Sequence, residues 1–230
     1  LSGSGGTENA QAFFSVGYLN NQGTQRGQDY SRYNFSMSVD LKLKPWFKMG
    51  GSINGSWSNQ DYGYSRTGQS SNSGPTDIYN AAKAIPRYGV IYDNEGGIIN
   101  NPCGSVTNVY TVVNEWSKSK DNRESFRALG SFYGEFDFGK MWKPLEGLSY
   151  KISFGPDFRH YRQGIFISKD SAVKMGSKNY AKYSTDRYLS WNFDNQINYS
   201  KTIDKHSFNV TLLQSASKYN AESASENANA

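Results

Sequence analysis

Residues Tyr33-Asn34-Phe35-Ser36-Met37-Ser38-Val39-Asp40-Leu41-Lys42-Leu43-Lys44 carry an apolar side chain at every odd position and a polar one at every even position. Successive side chains of an extended chain leave opposite faces, so this stretch is a strand with one oily and one wet face. The next segment repeats the pattern, with Phe47, Met49, Gly51, Ile53, Gly55 and Trp57 opposed by Lys48, Gly50, Ser52, Asn54, Ser56 and Ser58. Between the two, Lys44 and Pro45 leave only a tight turn, because proline has no N–H to give to a sheet ladder.

The same period of two runs through Ala12, Phe14, Val16 and Tyr18, and again through Phe126, Ala128, Gly130, Phe132, Gly134, Phe136 and Phe138. Leu129 is the exception on the polar side of that second run. Tyr150, Ile152, Phe154, Pro156 and Phe158 form another run, in which Pro156 predicts a bulge or local break. Leu189, Trp191, Phe193, Ile197 and Tyr199 follow, with Asn195 as the one polar residue on the oily side, and Phe208, Val210 and Leu212 open a last strand toward Lys218. About seven strands result. Their connections are long (Asn20 to Asp29), short (Lys44, Pro45), very long (Asp61 to Asn122), medium (Gly139 to Gly147), long (Gln163 to Thr185) and short (Thr202 to His206). In an antiparallel meander every second connection returns to the same edge, so one rim carries bulky loops and the other tight turns.

Composition narrows the class. The 230 residues include 17 Tyr, 13 Phe and 5 Trp, and mean hydropathy is −0.74, so the apolar content sits in rings rather than aliphatic runs. No stretch approaches the roughly 20 apolar residues of a membrane-crossing helix, and no signal-peptide core stands at the start. The single cysteine, Cys103, excludes an internal disulfide framework and a cysteine-rich zinc site. The net charge of +5 comes from 25 basic residues scattered among 20 acidic ones, which gives no basic block for nucleic acid.

Strands this long, with alternating faces and loops of unequal length at the two rims, predict an all-β antiparallel up-and-down meander that is a segment of a large transmembrane β-barrel. Closure is the physical reason, since hydrocarbon offers backbone groups no partner outside the sheet. The residues expected to face lipid are Phe35, Met37, Val39, Leu41, Ile53, Trp57, Phe132, Phe136, Phe154, Trp191 and Phe193. Trp46, Phe47, Trp142, Tyr199 and Phe208 fall at the short-turn edge and are expected to form an aromatic girdle there. The alternative is a soluble all-β carbohydrate-binding or glycoside-hydrolase module, with the same rings in a core or a sugar platform.

Several segments also resemble, in order and spacing, the barrel of SusC/RagA-type TonB-dependent transporters. They are Ser4-Gly5-Gly6-Thr7-Glu8 before Phe14-Ser15-Val16-Gly17-Tyr18-Leu19 and Gly23, then Tyr33-Asn34-Phe35-Ser36 leading to Trp46-Phe47-Lys48-Met49-Gly50. Ala84-Ile85-Pro86-Arg87-Tyr88, Tyr92-Asp93, Asn101-Pro102, Leu145-Glu146-Gly147-Leu148-Ser149-Tyr150 and His206-Ser207-Phe208 complete the set. The resemblance implies a multi-pass barrel in the outer membrane of a Gram-negative bacterium. It also implies import of oligosaccharides or peptides, with a SusD-like surface lipoprotein and the TonB complex as partners. On that view residues 1–220 are a partial barrel lacking the plug and the remaining strands, residues 221–230 are a polar disordered tail, and Leu1 to Gly5 is the tail of a preceding strand.

The long connection from Asp61 to Asn122 is where a ligand or lid is expected to touch. Its candidates are Tyr62, Tyr64, Arg66, Tyr79, Arg87, Tyr88, Tyr92 and Trp116, with Tyr110 nearby: rings that stack on apolar faces and guanidinium forks that hold polar groups. Thr76 to Ala84 suits a short helix capped by Thr76 and ended by Pro86. Asp93-Asn94-Glu95-Gly96-Gly97 lacks a calcium loop's ligand register and reads as a turn. His160 and His206 lack metal-ligand spacing and read as rim residues. Glu135 and Asp137 share the wet face, and no nucleophile elbow, zinc-protease or phosphate-loop motif accompanies them. No catalysis, cofactor or metal is expected.

Overall fold

A computed structural model describes residues 1–63, 82–104, 110–172 and 177–230. Each alternating stretch becomes a strand of one antiparallel sheet: β1 (Ser2–Gly6), β2 (Ala10–Gln22), β3 (Gln28–Lys44), β4 (Phe47–Tyr62), β5 (Ser119–Asp137), β6 (Leu148–Ile167), β7 (Tyr180–Ile203) and β8 (His206–Asn229). They stand in sequence order as an eight-stranded meander, with β1 and β8 at its edges. Short helices punctuate it, among them α1 (Glu115–Lys118) and α2 (Phe138–Met141), the latter followed by a 3₁₀ turn over Lys143–Leu145.

Register keeps the oily positions together. Ala12, Val39, Gly51, Phe132, Phe154 and Phe193 stand side by side in one row across β2 to β7. Val16, Phe35, Gly55, Ala128, Phe158 and Leu189 form another. A slip of one residue in any strand would turn its whole set to the wet face, so this match pins the pairing. Gly55 has a steric role: the Phe35 ring lies across it, where any Cβ would collide.

The apolar face is bounded by rings at both ends. Tyr18, Tyr33 and Trp57 follow one another near the loop rim, with centroids 4.7 and 5.6 Å apart. Near the turn rim Phe47 stacks on Phe136 at 4.6 Å, flanked by Trp46, Phe138 and Tyr150. Phe47 and Trp57 are separated by about 33 Å along the strand at 3.3 Å per residue, or about 25 Å of height at a 40° tilt. Among the described residues nothing covers this face: Phe35 and Phe132 are each 39% exposed and Met37 45%. Such exposure runs against the soluble alternative, which needs a second layer here.

Two expectations change. Residues 221–229 are not a disordered tail; they complete β8, with Ala221 to Asn229 paired against Tyr188 to Tyr180. Both faces are polar there, which erases the period-of-two signal while the backbone ladder continues. Among the described residues the sheet has eight strands rather than about seven, because Ser2–Gly6, expected as the tail of a preceding strand, pairs with β2 as β1. Of the two outcomes expected at Pro156, a bulge or a local break, the structure shows the local break. Pairing lapses between Leu129↔Asp157 and Phe132↔Phe154 and resumes in the same register, and Gly130 leaves room for the proline ring, whose Cγ lies 2.9 Å from where a Cβ would stand. The oily-face exception Asn195 is satisfied, accepting from the Tyr150 hydroxyl and donating to Gln214 Oε1 at 3.2 Å.

Candidate functional site at the loop-bearing rim

The wall is half exposed along its length, and the buried residues lie elsewhere. Ile165, Ile167, Ala172, Thr111, Glu115, Ser119, Asp121 and Ser171 are the buried residues of largest note, all at or above the loop ends of β5 and β6. The chain approaches them from the β4–β5 connection through Asn114, whose φ of 59° is a left-handed conformation that asparagine tolerates. From there α1 delivers Glu115 inward and Trp116 outward.

Glu115 is fully buried, and a carboxylate in that position requires donors. Its Oε2 accepts from Ser171 Oγ at 2.6 Å and its Oε1 from the Ala172 N–H at 3.1 Å, while Lys118 Nζ lies 3.1 Å from Oε1. The Ser168 N–H donates to the Lys118 carbonyl at 2.8 Å, closing the same junction.

Asp121 is the second buried carboxylate. It holds Arg123 in a two-pronged pair, Nε to Oδ1 at 3.1 Å and Nη2 to Oδ2 at 2.9 Å, and also accepts from Gln163 Nε2 at 2.9 Å. The fork lays the Arg123 guanidinium against the Tyr62 ring, 3.8 Å from its centroid. These residues share the wet face of the sheet. On the opposite face Asn122 donates to both Asn59 and Asp61, and Arg162 donates to Glu124 at 2.6 Å. His160 is a rim residue of that face, its Nε2 3.0 Å from Thr185 Oγ1.

The sequence candidates divide. Tyr62 stands at the end of β4 under Arg123. Trp116 stands on α1 with Arg26 of the β2–β3 connection 5.8 Å from its ring. Arg87, Tyr88 and Tyr92 are exposed on the 82–104 segment, which is shaped by the Tyr92↔Ile98 bridge and by a turn where Asp93 Oδ1 accepts from the Glu95 and Gly97 N–H groups. The structure does not join those three to Tyr62 or Trp116. Tyr64, Arg66 and Tyr79 lie outside the described residues, as does Thr76, while residues 82–84 are helical. Sequence reasoning missed Asp121, Arg123, Glu115 and Ser171. The Asp121–Arg123 spacing of two, which puts both on one strand face, was a usable signal; nothing in the local pattern marked Glu115.

Trp46, Phe47, Trp142, Tyr199 and Phe208 lie at or beside the short-turn ends of their strands, with Trp142 62% exposed. On the wet face of the wall, Arg127 pairs with Asp157 at 2.7 Å and Tyr133 donates to Asp40 at 2.6 Å.

This fold and its strand order can be set beside known proteins. The chain is 26% identical over 215 residues to TonB-dependent receptor P3 of Formosa agariphila and 26% over 217 residues to TonB-dependent receptor P26 of the same organism. Each match covers 93% of this chain and 20% of the relative. The chain is a relative of the TonB-dependent receptors. It spans about a fifth of the length of these curated relatives. Solved structures of the RagAB peptide importer in its "open-open" and "closed-closed" states match with TM-scores of 0.75 and 0.74 at 18% and 20% identity, over 99% of this chain and 24% and 25% of theirs. That likeness shows the fold, an antiparallel meander like a stretch of the importer's β-barrel wall. No protein-family model matches the chain.

Proposed function

We propose that the receptor segment supplies wall and outer loops to a barrel that imports oligosaccharides or peptides across the outer membrane of a Gram-negative bacterium. The observation that carries this reading is the apolar face of the meander, uncovered and bounded at both ends by aromatic rows about 25 Å apart, the height of an outer-membrane apolar band. On this reading Phe35, Met37, Val39, Leu41, Ile53, Trp57, Phe132, Phe136, Phe154, Trp191 and Phe193 meet lipid. Trp46, Phe47, Trp142, Tyr199 and Phe208 sit at the periplasmic interface. Residues 1–230 belong to a partial barrel whose other strands and plug lie in the rest of the receptor.

The segment's own work is passage and capture, not catalysis. Paired charges such as Arg127–Asp157 line the conduit without a large net field, which suits solutes of mixed polarity. At the mouth, Tyr62 under the Arg123 fork and Trp116 beside Arg26 offer ring faces held in place, while Arg87, Tyr88 and Tyr92 stand free in solvent to meet ligand or lid, with Tyr64, Arg66 and Tyr79 of the same connection as further contacts. A SusD-like surface lipoprotein is the expected lid, and energy coupling through the TonB complex is a property of the whole receptor.

The test is uptake by cells carrying the intact receptor, using labelled short oligosaccharides and, separately, labelled short peptides. Accumulation of one class that stops on loss of TonB, with the receptor in the outer-membrane fraction, is the expected result. Recovery of the receptor as a water-soluble protein, or uptake of neither class, overturns the proposal.

A further inference from the structure

We infer that Glu115 is a positioning residue that locks the return arm of the β4–β5 connection, residues 110–118, to the β6–β7 connection, so that this part of the rim moves as one body when ligand is captured. The inference rests on the import reading for its consequence but not for its geometry. α1 has four residues, too few to hold a helical turn without tertiary support. The arm therefore takes its shape from what it touches.

Those contacts reach three other parts of the rim. The Thr111 N–H donates to the Asn100 carbonyl at 2.9 Å in the 82–104 segment. Arg26 of the β2–β3 connection lies over Trp116. The link to the β6–β7 connection is made by the Glu115 side chain, with Ser171 Oγ and the Ala172 N–H both donating to its carboxylate, beside the backbone bond from the Ser168 N–H to the Lys118 carbonyl at 2.8 Å. Ser171, Ala172 and Glu115 all have zero exposure, so water cannot substitute for either partner while the junction is closed. Displacing the arm would take the carboxylate from Ser171 Oγ and the Ala172 N–H, and displacing that loop would leave a buried carboxylate with Lys118 alone. Each loop is thus held by the other's polar groups, and they open together or not at all.

Hydrogen exchange read by mass spectrometry on the intact receptor in detergent separates this from ordinary loop packing. Glu115→Ala is expected to speed exchange about tenfold or more in both 110–118 and 168–172 while leaving 126–136 and 189–199 unchanged, as a local opening does. Glu115→Gln keeps an acceptor oxygen and is expected to restore most of the protection. Ser171→Ala provides the reciprocal arm, loosening 110–118 without touching it directly. In uptake of the same labelled oligosaccharides and peptides, Glu115→Ala is expected to raise the half-saturating concentration several-fold at an unchanged maximal rate, because the lock prepays ordering that ligand would otherwise supply. Loosening of one segment alone, a glutamine variant no better than alanine, or an unchanged half-saturating concentration despite loosened loops overturns the inference. If the receptor imports neither class, the import reading falls while the exchange result still decides the lock.

Discussion

The wall and its loop-bearing rim are made from the same strands and stabilised in opposite ways. Between residues 126 and 136 β5 alternates oil and water, its rings stay at least partly exposed, and its order comes from neighbouring strands in register. Five to seven residues earlier, at Asp121 and Ser119, the same strand is buried and its side chains are polar. In the wall, backbone pairing runs on except beside Pro156, and side chains need only match the face they stand on. At the rim, irregular connections must be packed on one another, so specific polar partners replace periodicity.

The comparison breaks most visibly at Phe193. Phe193→Arg puts a charge at mid-height of the apolar face and should destabilise the receptor by about 2–4 kcal/mol, whereas Asn192→Arg on the wet face should be close to neutral. Urea midpoints in phospholipid vesicles measure both, and equal losses would mean the two faces are not different media. At the rim, Asp121→Ala should cost about 1–3 kcal/mol by leaving Arg123 and Gln163 without their acceptor. Its signature is local: exchange should accelerate around 119–124 and 161–165, and acceleration along the whole wall would show that the rim is not a separate cooperative unit.

Gly55→Val tests whether packing also matters in the wall, since the Phe35 ring occupies the space of the new side chain. A cost of about 1–3 kcal/mol is expected from overpacking, relieved in the Gly55→Val, Phe35→Ala double variant; absence of relief would remove the Phe35 ring as the cause. The smallest effect lies at the turn rim. Asp137 caps α2, accepting from the Lys140 N–H at 3.3 Å, and a hydrogen bond from the Lys140 ammonium holds its carboxyl below the usual carboxylate range. A lowered value means the fold favours the ionised form, so this contribution is present above the ordinary carboxylate pKa and disappears as pH falls through the lowered one. Asp137→Asn should therefore lower the melting temperature slightly at neutral pH and not at strongly acidic pH; an equal loss at both would assign the residue a charge-independent role.

What could be read from residues alone follows the same division. The oily set from Phe35 to Phe193 is legible because one face of each strand is apolar throughout, which imposes a strict period of two. Where both faces are polar that constraint disappears, and Ala221 to Asn229 carry no such signal although they pair with β7 residue by residue. At the mouth, Tyr62 and Trp116 were found by residue type. Their partners Arg123 and Arg26 were not, since each is brought in by a different strand or connection.

By itself the sequence determined the face each strand turns to oil, the turn at Pro45 and the order of long and short connections. These are local consequences of a two-residue repeat and of proline's missing donor. Only the tertiary structure decided that Glu115 meets Ser171 and Ala172, that Asp121 aims Arg123 at Tyr62, and that β8 runs on to Asn229. Those outcomes depend on groups far apart in the chain satisfying each other's hydrogen bonds where water is excluded, and no local pattern records such a partner.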